Sequence, residues 1–185
     1  MDNPGRILTT LDGHLDHPVR LVLYGRSAIC LGFEGAAAET AQTKDVDCII
    51  SSSHETTLHA DTGFWDALES TNKDLAPLGL YMTHLFSASE VFLRTNWEEH
   101  LVPVNRPTLR HLRLFRPATI DLVLTKCMRG NDPQDMADAK FMIDHDRITR
   151  SQLTDAFQAM QPIELVELRD TLRRSQPIVL GFAHY

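Results

Sequence analysis

Tyr24-Gly25-Arg26-Ser27-Ala28-Ile29, followed by Thr43-Lys44-Asp45-Val46-Asp47-Cys48-Ile49, are the stretches whose reading decides the fold. Residues 19–24 are β-formers that stop at Gly25, which predicts a strand. Residues 26–33 form an apolar stretch suited to a short buried helix, 35–44 a small polar loop, and 46–50 a second strand. Asp45 and Asp47 are two apart at the start of that strand, so their side chains point to one face. Two carboxylates placed that close repel unless a cation sits between them. Hard oxygen donors suit Mg²⁺, which keeps room for water and substrate phosphates. Gly25 lets a strand-to-helix turn come close to a phosphate, whose charge then meets the positive end of the next helix. Ser27 adds a hydroxyl donor there. Taken singly, Asp-x-Asp also marks solvated strand ends, and a glycine after a strand marks ordinary turns. Their order and spacing give the combination its meaning.

Working outward, residues 4–14 read as a helix with Ile7, Leu8 and Leu11 on one side. Ser52 and Glu55 have capping-box spacing and open a helical region to about residue 78. Residues 80–86 read as a strand, and Ser87 with Glu90 as the start of a short helix. Residues 97–104 and 109–115 read as two strands joined by the turn-forming Asn105-Arg106-Pro107. From Pro117 onward the pattern is helical. Residues 119–129 end in Arg129-Gly130, Asp132-Pro133 caps the next helix, Thr149 and Gln152 form another capping box, and Pro162 precedes a last helix. Strands in the first two-thirds and helices at the end define an α/β or α+β fold, a mixed sheet flanked by helices with a helical C-terminal part. The expected division is an α/β core over 1–130 and a helical part over 131–185 packed on it.

The chain has 185 residues, 43% hydrophobic and 23% charged, with a formal net charge of −7. That composition fits a globular domain long enough to need no disulfide, and it argues against a surface built for duplex nucleic acid. A local basic run, Arg106, Arg110, Arg113 and Arg116, reads as an edge strand guarded by charge. Cys30, Cys48 and Cys127 lack metal-ligand spacing and read as buried small hydrophobes in a reducing compartment. The histidine pairs His14/His17 and His54/His59 read as surface residues. Trp65 and Trp97 read as core or cleft-wall anchors. The tail, residues 181–185, either docks or frays. The N-terminus has no signal-peptide pattern and no segment approaches membrane-spanning length, so the expected location is the cytoplasm.

The glycine turn followed by Asp45-Val46-Asp47 resembles the signature of the nucleotidyltransferase superfamily, that of DNA polymerase β. The stretch 97–101, then Asp121-Leu122-Val123-Leu124-Thr125-Lys126, then Arg129, Asp135 and Asp138, is similar to a subgroup of small bacterial proteins related to abortive-infection toxin nucleotidyltransferases. The resemblance covers about residues 19–145. It implies two Mg²⁺ ions held by Asp45 and Asp47, and transfer of a nucleoside monophosphate from a triphosphate such as ATP. It also implies phosphate contacts from Gly25 and Ser27, and Lys126 aimed at the triphosphate. The acceptor is left open, RNA and protein among the candidates, as is an antitoxin partner. Arg26 departs from the usual glycine or serine at its position and either reaches a phosphate or blocks one. The third metal carboxylate is expected on a later strand. Glu98 and Glu99 are the candidates, with at most one facing Asp45. Without a third carboxylate the protein binds a nucleotide or a partner but does not turn over. Asp121 reads as a first-turn acid. Lys126 has a second reading, snorkelling to the surface, and Asp135 and Asp138 read as its partners or those of Arg129 across two helices.

Overall fold

A computed structural model describes residues 2–83, 85–162 and 165–184. The chain divides into two compact units, Met1–Ser87 with Val102–Arg116, and Ala88–Leu101 with Pro117–Tyr185.

The first unit contains helix α1 (Asn3–His14), strand β1 (Val19–Tyr24), helix α2 (Gly25–Gly32), strand β2 (Asp47–Ile50), helices α3 (Glu55–His59) and α4 (Thr62–Leu75), and strands β3 (Leu85–Ser87), β4 (Val102–Pro103) and β5 (Leu112–Arg116). Among the described residues the strands make one mixed sheet in the order β3-β2-β1-β5-β4. β1 runs antiparallel to β2 and parallel to β5, and β3 runs parallel to β2. Partnered residues share a face. One face therefore carries Val19, Leu21, Leu23, Cys48, Leu112 and Leu114, each at most 5% exposed. α2 packs on β1, and α1 packs on α2 and α4. The other face carries Arg20, Val22, Tyr24, Asp47, Ile49, Phe86, Arg113 and Phe115.

Asp12 ties α1 to the sheet. Its carboxylate accepts the backbone N–H groups of Arg110, His111 and Leu112 at 2.7–2.8 Å. Burial alone would push its pKa up, but those three N–H donors hold it below the usual carboxylate range.

Several boundaries differ from the sequence reading. The helical region expected from Ser52 is broken. α3 starts without a side-chain cap, and α4 restarts at Asp61, whose carboxylate caps Phe64 N–H at 3.0 Å. Residues 80–83 precede the strand rather than forming it. Tyr81 instead bridges to Asp45, and His84 lies outside the described residues. Ser87 and Glu90 frame only a 3-10 turn, Ala88–Glu90. Residues 97–100 form a 3-10 turn as well, anchored by Trp97 at 2% exposure, so the fourth strand shrinks to Val102–Pro103. The turn at 105–107 does join antiparallel strands. β5 lies between β1 and β4 and is not an edge, which removes the guarding role assigned to its arginines. Arg116 instead packs on the buried face, its guanidinium 4.2 Å from the Phe33 ring centre.

The second unit contains helices α5 (Thr119–Thr125), α6 (Pro133–Asp146), α7 (Arg150–Gln158) and α8 (Val166–Phe182). The expected caps are in place: Asp132 on α6 with Pro133 at its first position, and the reciprocal Thr149/Gln152 box on α7. Gly130 takes φ 68° after α5, the left-handed stop that glycine favours. The tail docks as far as His184, which exchanges backbone hydrogen bonds with Ile148 and Arg150 at 3.0 Å; Tyr185 lies outside the described residues. Asp121 is fully buried in the first turn of α5. It accepts Nε and Nη2 of Arg94 at 3.0 and 2.7 Å and the Arg94 backbone N–H at 3.0 Å, pinning residues 88–101 to this unit.

Asp121→Ala leaves a largely buried guanidinium and a backbone N–H without their acceptor. It is expected to cost about 3 kcal/mol in chemical denaturation. His17 supplies a pH-dependent term. Its ring nitrogens lie 2.7 Å from Asp16 and 2.8 Å from Asp61, and the Asp16 and Asp61 carboxylates raise its pKa. A raised folded-state pKa gives stability that is full below the unfolded value of about 6.5 and is lost as pH rises through the folded value. The melting temperature lost in His17→Gln should therefore be larger at pH 5.5 than at pH 8.5.

Candidate active site

The site forms where β1 ends and β2 begins. Antiparallel pairing puts Tyr24 directly opposite Asp47. The chain leaves β1 through Gly25 at φ 65°, a left-handed conformation that glycine adopts without steric cost. A Cβ built on Gly25 would sit 3.4 Å from Oδ2 of Asp47, so the glycine turn and the second carboxylate are direct neighbours. α2 then opens without a side-chain cap.

Asp45 and Asp47 are each partly exposed, while the intervening Val46 and the following Cys48 are 0% and 1% exposed. The alternation confirms that the two acids share a face. Thr43 Oγ1 donates to Asp45 Oδ1 at 2.7 Å and fixes that carboxylate. The backbone around Asp45 is held from the other side, Tyr81 N donating to Lys44 O at 3.0 Å and Val46 N to Tyr81 O at 3.3 Å. Burial and the Asp47 carboxylate beside it push the Cys48 thiol well above the usual range, which leaves it an inert core group.

The remaining predicted residues are placed as follows. Arg26 lies half-buried in the first turn of α2. Ser27 is 2% exposed, and its hydroxyl donates to the Tyr24 carbonyl at 2.9 Å, so in this structure it braces the turn. Glu98 and Glu99 lie in the 3-10 turn of the second unit, not on a strand, so the argument that adjacent strand residues face opposite ways does not apply to them. β3, the strand beside β2, carries Leu85, Phe86 and Ser87 and no carboxylate. Among the described residues no group of three or more His, Cys, Asp or Glu converges to hold a metal.

Lys126 is 5% exposed and donates to Asp135 at 3.0 Å and to Asp138 at 2.8 Å. Arg129 Nε reaches the other Asp135 oxygen at 2.5 Å. Burial would push the Asp135 carboxyl up; Arg129 and Lys126 more than offset this and hold it below its ordinary value. The run of charges after Asp121 thus ties the turn that follows α5 to α6, with Asp135 and Asp138 as partners of Lys126 and Arg129.

The sequence reading did not single out Thr43 or Phe86. Thr43 had a local signal, a hydroxyl two residues from an acid. Phe86 had none, because only the β2–β3 pairing brings its ring to 5.5 Å from Tyr24, edge to face.

Two carboxylates on one face at the start of β2, one of them held by the Thr43 hydroxyl, are hard oxygen donors beside a glycine turn, and that donor set fits a hard divalent cation. Mg²⁺ commonly takes one or two carboxylates and completes its shell with water and substrate phosphate. Residues 6–148 match a family described as a nucleotidyltransferase of unknown function (DUF6036), and the chain belongs to that family. No curated protein and no solved structure matches it.

Gly25→Ala would place a Cβ at positive φ against Asp47. The variant should lose more than about tenfold in nucleotide affinity by calorimetry, while the strain costs only about 1 kcal/mol of stability.

Proposed function

We propose that the protein transfers a nucleoside monophosphate from a nucleoside triphosphate to an acceptor hydroxyl, with Asp45 and Asp47 holding Mg²⁺ at the start of β2. The observation that supports this reading is the closeness of the Gly25 turn to the Asp47 carboxylate, since a triphosphate at the turn would lie beside a metal held by that acid. The bound metal would neutralise charge that develops on the phosphoryl oxygens. The chain's own groups do the positioning. The turn at Gly25 leaves the backbone free for close approach by a phosphate, and the uncapped start of α2 offers backbone N–H donors and the positive end of its dipole. Thr43 orients Asp45, and Ser27 keeps the turn in shape.

A binding protein without turnover is the second reading, supported by the absence of a carboxylate on β3 beside the pair. A toxin-like role opposed by an antitoxin is carried by the sequence resemblance alone.

The test is incubation with each α-labelled triphosphate, Mg²⁺ and a panel of RNA and protein acceptors. Transfer is expected with wild type. Asp47→Asn should retain the fold by circular dichroism and reduce transfer by ~100-fold or more. Metal-dependent triphosphate binding without transfer to any acceptor would establish the second reading. No metal-dependent binding would overturn both.

A further inference from the structure

Arg20 on β1 and Arg113 on β5 are direct cross-strand partners on the sheet face that carries Asp47. Like charges directly opposite on a sheet destabilise it. Both side chains are exposed, and among the described residues neither has an acidic partner. The Arg20 guanidinium lies 4.7 Å from the centre of the Phe115 ring and 3.4 Å from His54 Nε2. One Nη of Arg113 donates to the Arg110 and Leu112 carbonyls. The two cations are therefore held in place side by side, without a carboxylate partner among the described residues, in a chain of net charge −7.

The same face carries three half-buried aromatic rings: Phe115 beside Arg20, and Tyr24 with Phe86 beside Asp47. Arg20 lies four residues along β1 from Tyr24, about 13 Å at strand rise. A triphosphate anchored at Gly25 would not bring its own phosphates that far. Cations that track a backbone, interleaved with rings that stack bases, are the means by which proteins hold single-stranded nucleic acid.

We propose that the acceptor in the reaction above is a single-stranded polynucleotide. Its terminal hydroxyl would lie at Asp47, and an upstream phosphodiester would be gripped by Arg20 and Arg113 with Phe115. The acceptor role rests on the nucleotidyl-transfer reading; the binding surface is tested without it.

Fluorescence anisotropy, with neither triphosphate nor metal, would compare labelled 12-nucleotide RNA and DNA single strands, the corresponding duplex, and a poly-glutamate peptide of equal charge. The single strands should bind more tightly than the duplex or the peptide. Arg20→Gln/Arg113→Gln should weaken single-strand binding at least tenfold and reduce the salt slope by about 1.4, the value for two phosphate contacts on a single strand. Lys140→Gln/Arg173→Gln, which removes two surface cations elsewhere, should bind as wild type. The single arginine variants, each expected to bind severalfold more weakly, serve if the double variant fails to fold. A preference for RNA or for DNA supports the proposal either way and names the strand to offer as acceptor in the transfer assay. Equal binding by the arginine variants overturns it, as does peptide binding as tight as that of the strands, or no single-strand binding at 50 mM salt. Binding that depends on the arginines in a protein showing no transfer would retain the surface and remove the transfer reading; transfer without it would do the reverse.

Discussion

The antiparallel register of β1 against β2 is the constraint on which the rest of the site depends. With Tyr24 opposite Asp47, the residue after the strand must turn where a carboxylate already stands. The positive φ of that turn is what glycine supplies without steric cost. A slip of one residue would move Asp47 to the buried face beside Leu21 and Leu23 of β1, where an unpaired carboxylate costs several kcal/mol. Core and site are thus specified together. The alternation that buries Val46 and Cys48 is what presents Asp45 and Asp47.

Polar groups buried elsewhere serve assembly. Asp12 gathers three backbone donors at the entrance to β5, and α1 is fixed to the sheet by a charge that burial alone would disfavour. Asp121 does comparable work for residues 88–101, and Lys126 with Asp135, Asp138 and Arg129 does it between α5 and α6. Asp12, Asp121 and Asp135 each meet at least two donors, the condition under which a buried charge can be kept. In the charged run that follows Asp121, the contacts shown are ion pairs from the turn after α5 to the first two turns of α6.

Much of this was legible locally. The acid pair, the glycine turn, the Asp132-Pro133 start and the Thr149/Gln152 box each depend on residues within a few positions of one another, and each appears where the pattern put it. Errors arose where local signals conflicted with tertiary contacts. Ser52 and Glu55 had capping spacing, but Asp61 made the cap, backed by His17 from the loop after α1. Residues 97–100 had strand composition, yet burial of Trp97 folded them into a turn and took Glu98 and Glu99 off any strand. The arginines of β5 looked like guards because nothing in their neighbourhood showed that β1, some ninety residues earlier, would pair along their other side.

The sequence by itself determined that a glycine turn precedes two carboxylates on one strand face, since period and spacing are properties of the backbone alone. It determined equally that two capped helices, α6 and α7, follow the sheet. Only the tertiary structure decided that the turn touches Asp47, that Tyr24 meets Phe86, and that Arg20 lies across from Arg113 on the face of the acids. Those are facts of strand order and register. They are set by which surfaces bury together across dozens of residues, and no local pattern encodes them.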